Sequence, residues 1–331
     1  MALSDTLVKW AVWLLGLVPD DQAEQILAQI GDIQVSDTSM WRRAKRWGEK
    51  IRAVEALQAA QARAMPEAGV VVRGESHSGP RMGVAMDGAM INIRQEGFKE
   101  AKIGCVFEVE PRQETDPTTQ EVVEHPHAVN NTYAGHLGGP DRFGDLVWGE
   151  ASRRQWSRAL DTLVIGDGAP WIWNLAREHF GTSQQLIDWW HATQHLYAAA
   201  HVAYGEGSTE ATRWAKRMED LLYRGEAWRV ADLIEGLAAG QRGEKAEALH
   251  TEARYFRGNQ RRMQYMEMRE SGWPIGSGMG ESGCKQFRSR LAGPGMRWSR
   301  SGAERMIAVR AAILSRRFDT VWAAAYNSPP N

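Results

Sequence analysis

Cysteine is nearly absent from this 331-residue chain. There are two, Cys105 and Cys284, far apart and without metal-ligand spacing. That excludes a disulfide framework and a cysteine-bound zinc motif, and it fits reduced thiols in a cytoplasmic protein. Long hydrophobic runs are lacking too. The apolar stretch 10–18 is too short to span a bilayer. It has neither a basic leader nor a small-residue cleavage site, so it reads as a core helix and not a secretory signal. Nor is there an excess of one charge. The net charge is −1 at pH 7, which leaves no global pull towards nucleic acid or acidic membranes.

Tryptophan, by contrast, is abundant at 15 residues. Most of these read as core and helix-packing aromatics. The length is enough for a large core and two or three domains. Charge is also unevenly placed. Between Arg254 and Arg317 there are 14 Lys/Arg against 4 acids, so that stretch is about +10 and the remainder about −11. A basic C-terminal third on an acidic body suits a phosphate-binding surface, or simply solvated helix faces.

Residues 1–65 read as helical. One helix over 7–17 stops near Pro19. Asp20 and Asp21 can cap a second over 22–30, which stops at Gly31. Ser36 can cap a third carrying Trp41, Arg42, Arg43, Lys45 and Arg46. Helix, short turn and capped basic helix form a helix-turn-helix pattern. It would read DNA, or serve only for packing or dimerisation. Residues 66–80 form a linker with one short strand at 70–73.

Strands follow at 82–86, 90–94 and 99–109. Asp87 and Gly88, between the first two, give a strong hairpin signal. Residues 111–127 read as an exposed loop. A helix over 141–159 leads to a wholly apolar strand at 162–165, buried on both faces. It ends at Gly166-Asp167-Gly168. Pro170 opens a helix to residue 179, and a last strand covers 185–189. A helical insertion over 191–270 breaks near Gly205, Gly225 and Gly240. A glycine-rich loop at 272–283 precedes helices at 282–291 and 301–318, and 319–331 reads as a tail with a frayed end. The fold class is therefore mixed α/β: a mixed five-stranded sheet with helices packed on it.

Asp87 and Asp167 both fall at predicted strand ends, where open α/β sheets gather functional residues. Glu281 sits near a helix start. Each has a plain explanation, as turn former, helix cap and macrodipole partner. Jointly, three acids at element ends suit a divalent metal site. Mg²⁺ is hard and takes one or two carboxylates with water and phosphate oxygens. Two such ions can hold the attacking and leaving oxygens of an in-line phosphoryl displacement. Lys285, one turn after Glu281, would touch a phosphate or pair with Glu281.

Here the wording of the chain carries a resemblance. The segments AMDGAMINIRQEGFKEAKIGCVF, VIGDGAPWIWNLAREHF, LIDWWHATQHL, YFRGNQRRMQY and GWPIGSGMGESGCKQFRSRLAGPGMRWSRSGAERMIAVRAAILS are similar to DDE transposases of bacterial insertion sequences, of the ISKra type. The similarity covers residues 81–318. It implies an RNase H-like core split into 81–190 and 271–318, with the insertion before the last catalytic acid. It also implies a metal-binding triad of Asp87, Asp167 and Glu281, and two Mg²⁺ ions with Mn²⁺ able to substitute. Asp188-x-x-His191 resembles the C/D-x-x-H signature of related transposases and marks both as auxiliary, though His191 alone reads as a helix-start or core histidine. The partners implied are double-stranded DNA, at transposon ends and target, and further copies of the chain in a dimer or higher oligomer. The implied location is bacterial cytoplasm, at the nucleoid. The N-terminus is short for the family.

The implied reaction is cleavage at each transposon end by an activated water, then attack of the freed 3′-hydroxyl on target DNA. Arg288, Arg290, Arg297 and Arg300 would contact backbone phosphates. Trp298 would stack on an unpaired base or belong to the core. The alternatives are an RNase H-like nuclease without strand transfer, and an inactive or domesticated transposase that regulates by binding DNA. More remote is a helical scaffold with a basic protein-binding face.

Overall fold

Strand β1 (Arg81–Ile93) is the centre of the sheet in the computed structural model, which describes residues 3–64, 79–115 and 120–327. It pairs antiparallel with β2 (Gly97–Thr115), from Arg81 opposite Val109 to Ile93 opposite Gly97. The expected hairpin at Asp87-Gly88 is corrected: both residues stay in the strand. The chain reverses at 94–96 instead, where Gln95 (φ 66°) and Gly97 (φ 74°) take the left-handed backbone a tight turn needs. Two expected strands are thus one.

A missed strand restores the count. β3 (Val122–Leu137) pairs antiparallel with β2, so 111–115 and 122–127 are not loop but the far end of a two-stranded ribbon, while 116–119 lie outside the described residues. Pro111 lies opposite Pro126 there. Both strands are exposed on this ribbon, so no apolar alternation marks it, and prolines are tolerated where an N–H can face outwards. Helix α4 (Pro140–Arg153) leads to β4 (Thr162–Gly166), and α5 (Pro170–His179) leads to β5 (Gln184–Ile187). The sheet order is β3-β2-β1-β4-β5, with β1, β4 and β5 mutually parallel. The chain is therefore mixed α/β with a five-stranded mixed sheet.

Helices α4 and α5 cover one face. Helices α11 (Gly278–Leu291) and α12 (Arg300–Leu314) cover the other. The glycines at the start of α11 permit close approach: a Cβ on Gly280 would lie 3.0 Å from the Cβ of Ala85, and one on Gly283 would strike the Tyr133 ring at 2.6 Å. That contact sets Glu281 beside β1. It also turns half of the expected glycine-rich loop into helix.

At the N-terminus α1 (Asp5–Leu17), α2 (Asp20–Gly31) and α3 (Asp37–Arg63) match the expected helices. Their ends differ in detail. Pro19 occupies the cap position and Asp20 and Asp21 fall in the first turn, and the left-handed residue ending α2 is Asp32, not Gly31. α3 is 27 residues long and packs along α4, α12 and α13 (Phe318–Asn327). Trp47 and Trp322 stack at 3.9 Å. The expected tail is therefore helical through Asn327, because its apolar face has α3 to cover it. The expected strand at 70–73, like residues 328–331, lies outside the described residues.

The insertion comprises α6 (Trp189–Tyr204), α7 (Thr209–Tyr223), α8 (Ala227–Ala239), α9 (Glu244–Asn259) and the short α10 (Tyr265–Glu270). Its breaks fall at Gly205, Gly225 and Gly240, as read from the sequence. Among the described residues no helix is long and apolar enough to cross a membrane.

Candidate active site

The parallel register aligns three acids. The last paired row runs Met86–Gly166–Ile187 across β1, β4 and β5. One residue further along each chain stand Asp87, Asp167 and Asp188. Side chains of one row share a face, so strand geometry alone gathers carboxylates at this end of the sheet.

Asp87 and Asp167 are half-buried. Each accepts a local backbone N–H: Gly88 to Asp87 Oδ1 at 2.6 Å, and Ala169 to Asp167 Oδ1 at 2.7 Å. Neither pairs with a lysine or arginine among the described residues. Burial holds the Asp87 pKa above the usual carboxylate value. The Gly88 N–H and the Cys284 thiol pull it down, and the nearby Asp167 charge pushes it up. Two partly desolvated acids without a cationic partner form an incomplete electrostatic arrangement.

Glu281 reaches this row from α11. A ligand atom of Glu281, one of His191 and one of Asp188 all lie within 4.8 Å of one another. His191 is also close enough to Asp87 to favour its ionised form. Asp188 differs from the others. It is fully buried, and its two oxygens accept different backbone N–H groups: His191 at 2.9 Å on Oδ1, and Ser277 on Oδ2. The Trp189 N–H adds a bond to Ile275 O at 3.0 Å. Asp188 thus clamps the start of α6 to the segment entering α11. It positions His191 and Glu281, which remain half-buried and open to a ligand. Lys285 Nζ is 3.5 Å from Glu281 Oε2, with its side chain 76% exposed.

Two further participants had little sequence signal. Cys284 follows Glu281 by three residues, one helical turn, and its thiol donates to Asp87. Burial, with the Asp87 charge, pushes that thiol's pKa far up, so it stays protonated and donates. Tyr255, on α9, donates its hydroxyl to the backbone O of Asp167 at 3.1 Å. Gly168 leaves room for the Tyr255 ring, since a Cβ there would lie 2.9 Å from it, and its φ of 108° also suits glycine. Tyr255 stacks on His195 at 3.7 Å, and His195 Nδ1 lies 2.6 Å from Glu252 Oε2. The i,i+4 spacing of His191 and His195 places both on one side of α6. Nothing local announces Tyr255, because its contact crosses 88 residues.

The expected DNA-contacting residues divide. Arg42, Lys45 and Arg46 are exposed on α3, while Arg43 turns back to Ser39 O at 2.9 Å. Arg288 and Arg297 are exposed. Arg300 is exposed but paired with Glu96 at 2.5 Å. Arg290 requires correction, because it is buried, and of the two readings of Trp298 its burial leaves the core one. Arg290 bonds Leu15 O at 2.6 Å and Asp20 at 3.2 Å, and lies over the Trp298 ring. Trp298 donates to Leu291 O at 2.8 Å. Their atoms are engaged in joining α1 to α11. No protein-family model matches the chain, and no curated protein matches it.

Proposed function

We propose that this protein is a DDE-type transposase of the ISKra kind, built on an RNase H-like core. The observation that carries this reading is the row of aspartates. Parallel pairing brings Asp87, midway along β1, beside Asp167 just past the end of β4, and the glycine-lined approach of α11 sets Glu281 against Asp188 and His191 in the same region. The sheet order β3-β2-β1-β4-β5, with an antiparallel β1–β3 half and parallel β4 and β5, supports the RNase H-like assignment. The helices between β5 and α11 then form the insertion before the last acid.

The donor set fits a hard divalent cation. It is all carboxylate, half-buried, and without a lysine or arginine on Asp87 or Asp167 among the described residues. Asp87, Asp167 and Glu281 would hold Mg²⁺, with Mn²⁺ able to substitute. When bound, the metal supplies Lewis-acid activation of the attacking oxygen and charge neutralisation at the leaving oxygen. The chain's own residues do the rest. Cys284 and the Gly88 N–H fix the orientation of Asp87. Tyr255 holds the Asp167 loop. Asp188 sets α6 against α11, so that His191 and Glu281 converge. Lys285 stands where it can meet a phosphate oxygen. No covalent enzyme intermediate is needed. The substrate is double-stranded DNA, transposon end and target, gripped by two or more copies of the chain and by the exposed basic side chains of α3, α11 and the segment after it.

The test is processing of a labelled duplex carrying the element's ends, with Mg²⁺ or EDTA. Wild type should give joined products. Asp87→Ala, Asp167→Ala and Glu281→Ala should give none while still binding the duplex. Hydrolysed ends without joining would replace the transposase reading by a nuclease. Binding without any chemistry in wild type would favour a DNA-binding regulator.

A further inference from the structure

At the β3 edge of the sheet, between the C-terminal ends of α4 and α12, lies a cleft of about 770 Å³. Its walls include Arg112, Arg153, Arg154, Arg316 and Arg317, with Gln286 of α11 at one side. Three of these arginines already have protein partners. Arg154 bonds Glu108, and its guanidinium also donates to Val106 O at 2.8 Å. Arg153 and Arg317 share the buried Glu150, at 2.5 and 2.7 Å. Arg112 and Arg316 have no acidic partner among the described residues and are exposed at the rim. Among the described residues Glu108 and Glu150 pair with these guanidiniums and Glu55 lies behind Arg317, so five cations meet three acids and the cleft carries a surplus of positive charge. Arg317 also keeps a buried Nε donor without an acceptor, although its Nη2 is paired with Glu150. A buried donor left open in a cationic concavity calls for an anionic oxygen.

We propose that this cleft is a phosphate-binding site, separate from the carboxylate cluster, that takes the backbone of a DNA strand. Its lining favours a phosphate over an aromatic ligand. The one aromatic residue at its wall, Tyr133, is buried, so no ring is offered for base stacking. Guanidinium and amide groups read phosphate oxygens through forked hydrogen bonds and carry no base code. The volume suits one or two nucleotides and is far too small for a duplex. Gln286 lines the cleft and its chain neighbour Lys285 reaches Glu281, so α11 joins the two sites. A single strand leaving the carboxylate cluster along α11 would enter the cleft. That connection rests on the transposase reading. The phosphate site itself does not.

The experiment uses the full chain and two probes: inorganic pyrophosphate by calorimetry, and a single-stranded oligonucleotide by fluorescence anisotropy across a salt series. Arg112 and Arg316 are exposed and without acidic partners, so R112E/R316E should fold, which the melting temperature checks. Wild type should bind both probes. The double variant should lose pyrophosphate binding at least tenfold, and its salt slope for the oligonucleotide should fall by about two. Absence of pyrophosphate binding in wild type, or equal binding by the folded double variant, would overturn the proposal. Pyrophosphate binding without oligonucleotide binding would assign the cleft to free phosphates and overturn the DNA-strand part. If strand joining fails in wild type while both probes bind, the transposase reading falls and the phosphate site stands.

Discussion

The carboxylate end of the sheet and the arginine cleft share helix α11, yet they treat charge in opposite ways. At the carboxylate end, Asp87 and Asp167 lie half-buried with no lysine or arginine against them among the described residues. In the cleft, Glu150 and Glu108 are each held by arginine, and the excess is cationic. Both regions are partly desolvated, so neither sign is cheap to leave unbalanced. What differs is the counter-ion each invites: a divalent cation for the first, phosphate for the second. A nucleic acid carrying Mg²⁺ would satisfy both at once.

The largest expected effect breaks the acidic side. Asp167→Ala removes one carboxylate of the row and leaves the cleft intact. Strand joining should fall by about 10³-fold or more, which is at least ~4 kcal/mol in the barrier. Duplex affinity should stay within about twofold. Equal joining by the variant would remove Asp167 from the chemistry.

Next is the clamp that makes the acidic side possible. Asp188→Ala leaves the N–H groups of His191 and Ser277 without their acceptor. Lost hydrogen bonds to a buried charge cost about 3 kcal/mol. The melting temperature should drop by several degrees, and Mg²⁺ affinity with it. A variant as stable as wild type, with activity lost, would instead make Asp188 a metal ligand.

That distinction was not readable from the chain alone. The sequence marks Asp87, Asp167, Asp188, His191 and Glu281 as a group through residue type, element ends and family likeness. Strand register then aligns them, and register is a property of pairing across the sheet. The Asp87-Gly88 pair misled for a related reason. Local turn propensity yields to a ladder that runs unbroken for thirteen residue pairs. The β2–β3 ribbon was invisible because exposed strands need no apolar alternation. Arg290 read as a surface residue because α11 is basic overall, and the sequence left Trp298 between base stacking and the core. Only the fold shows that Leu15 O and Asp20 lie against Arg290. The helical insertion was legible throughout, because its breaks are glycines and its helix period is local.

A third prediction sharpens the cationic side through an acid behind it. Glu55 lies near Glu150 and Arg317, and burial first, then the Glu150 charge, raises its pKa to about 8, against the pull of Arg317. The folded state therefore binds a proton that the unfolded state releases above its ordinary carboxylate pKa. Stability from this group is fully present below about pH 4.5 and is lost as pH rises towards 8. By exposed surface Glu55 is half-buried, so the loss is smaller than the full shift implies. Denaturant melts of Glu55→Gln should show a flatter stability profile between pH 5 and pH 8 than wild type. Parallel profiles would mean that Glu55 ionises freely beside the cleft.

The smallest effect concerns the residue between the two regions. Lys285 is 76% exposed and 3.5 Å from Glu281, an i,i+4 pair on a helix surface. Such a pair is worth only about 0.3–0.5 kcal/mol, so Lys285→Met should melt almost as wild type does. Its effect should appear in the salt series. If the ammonium meets a phosphate on the way from the carboxylates to the cleft, the slope of log affinity against log salt should fall by about one. Joining should weaken by a few fold at physiological salt and recover at low salt, where the remaining cations hold the strand. An unchanged slope would show that Lys285 serves only to neutralise Glu281. The two regions would then be neighbours on α11 without a shared strand.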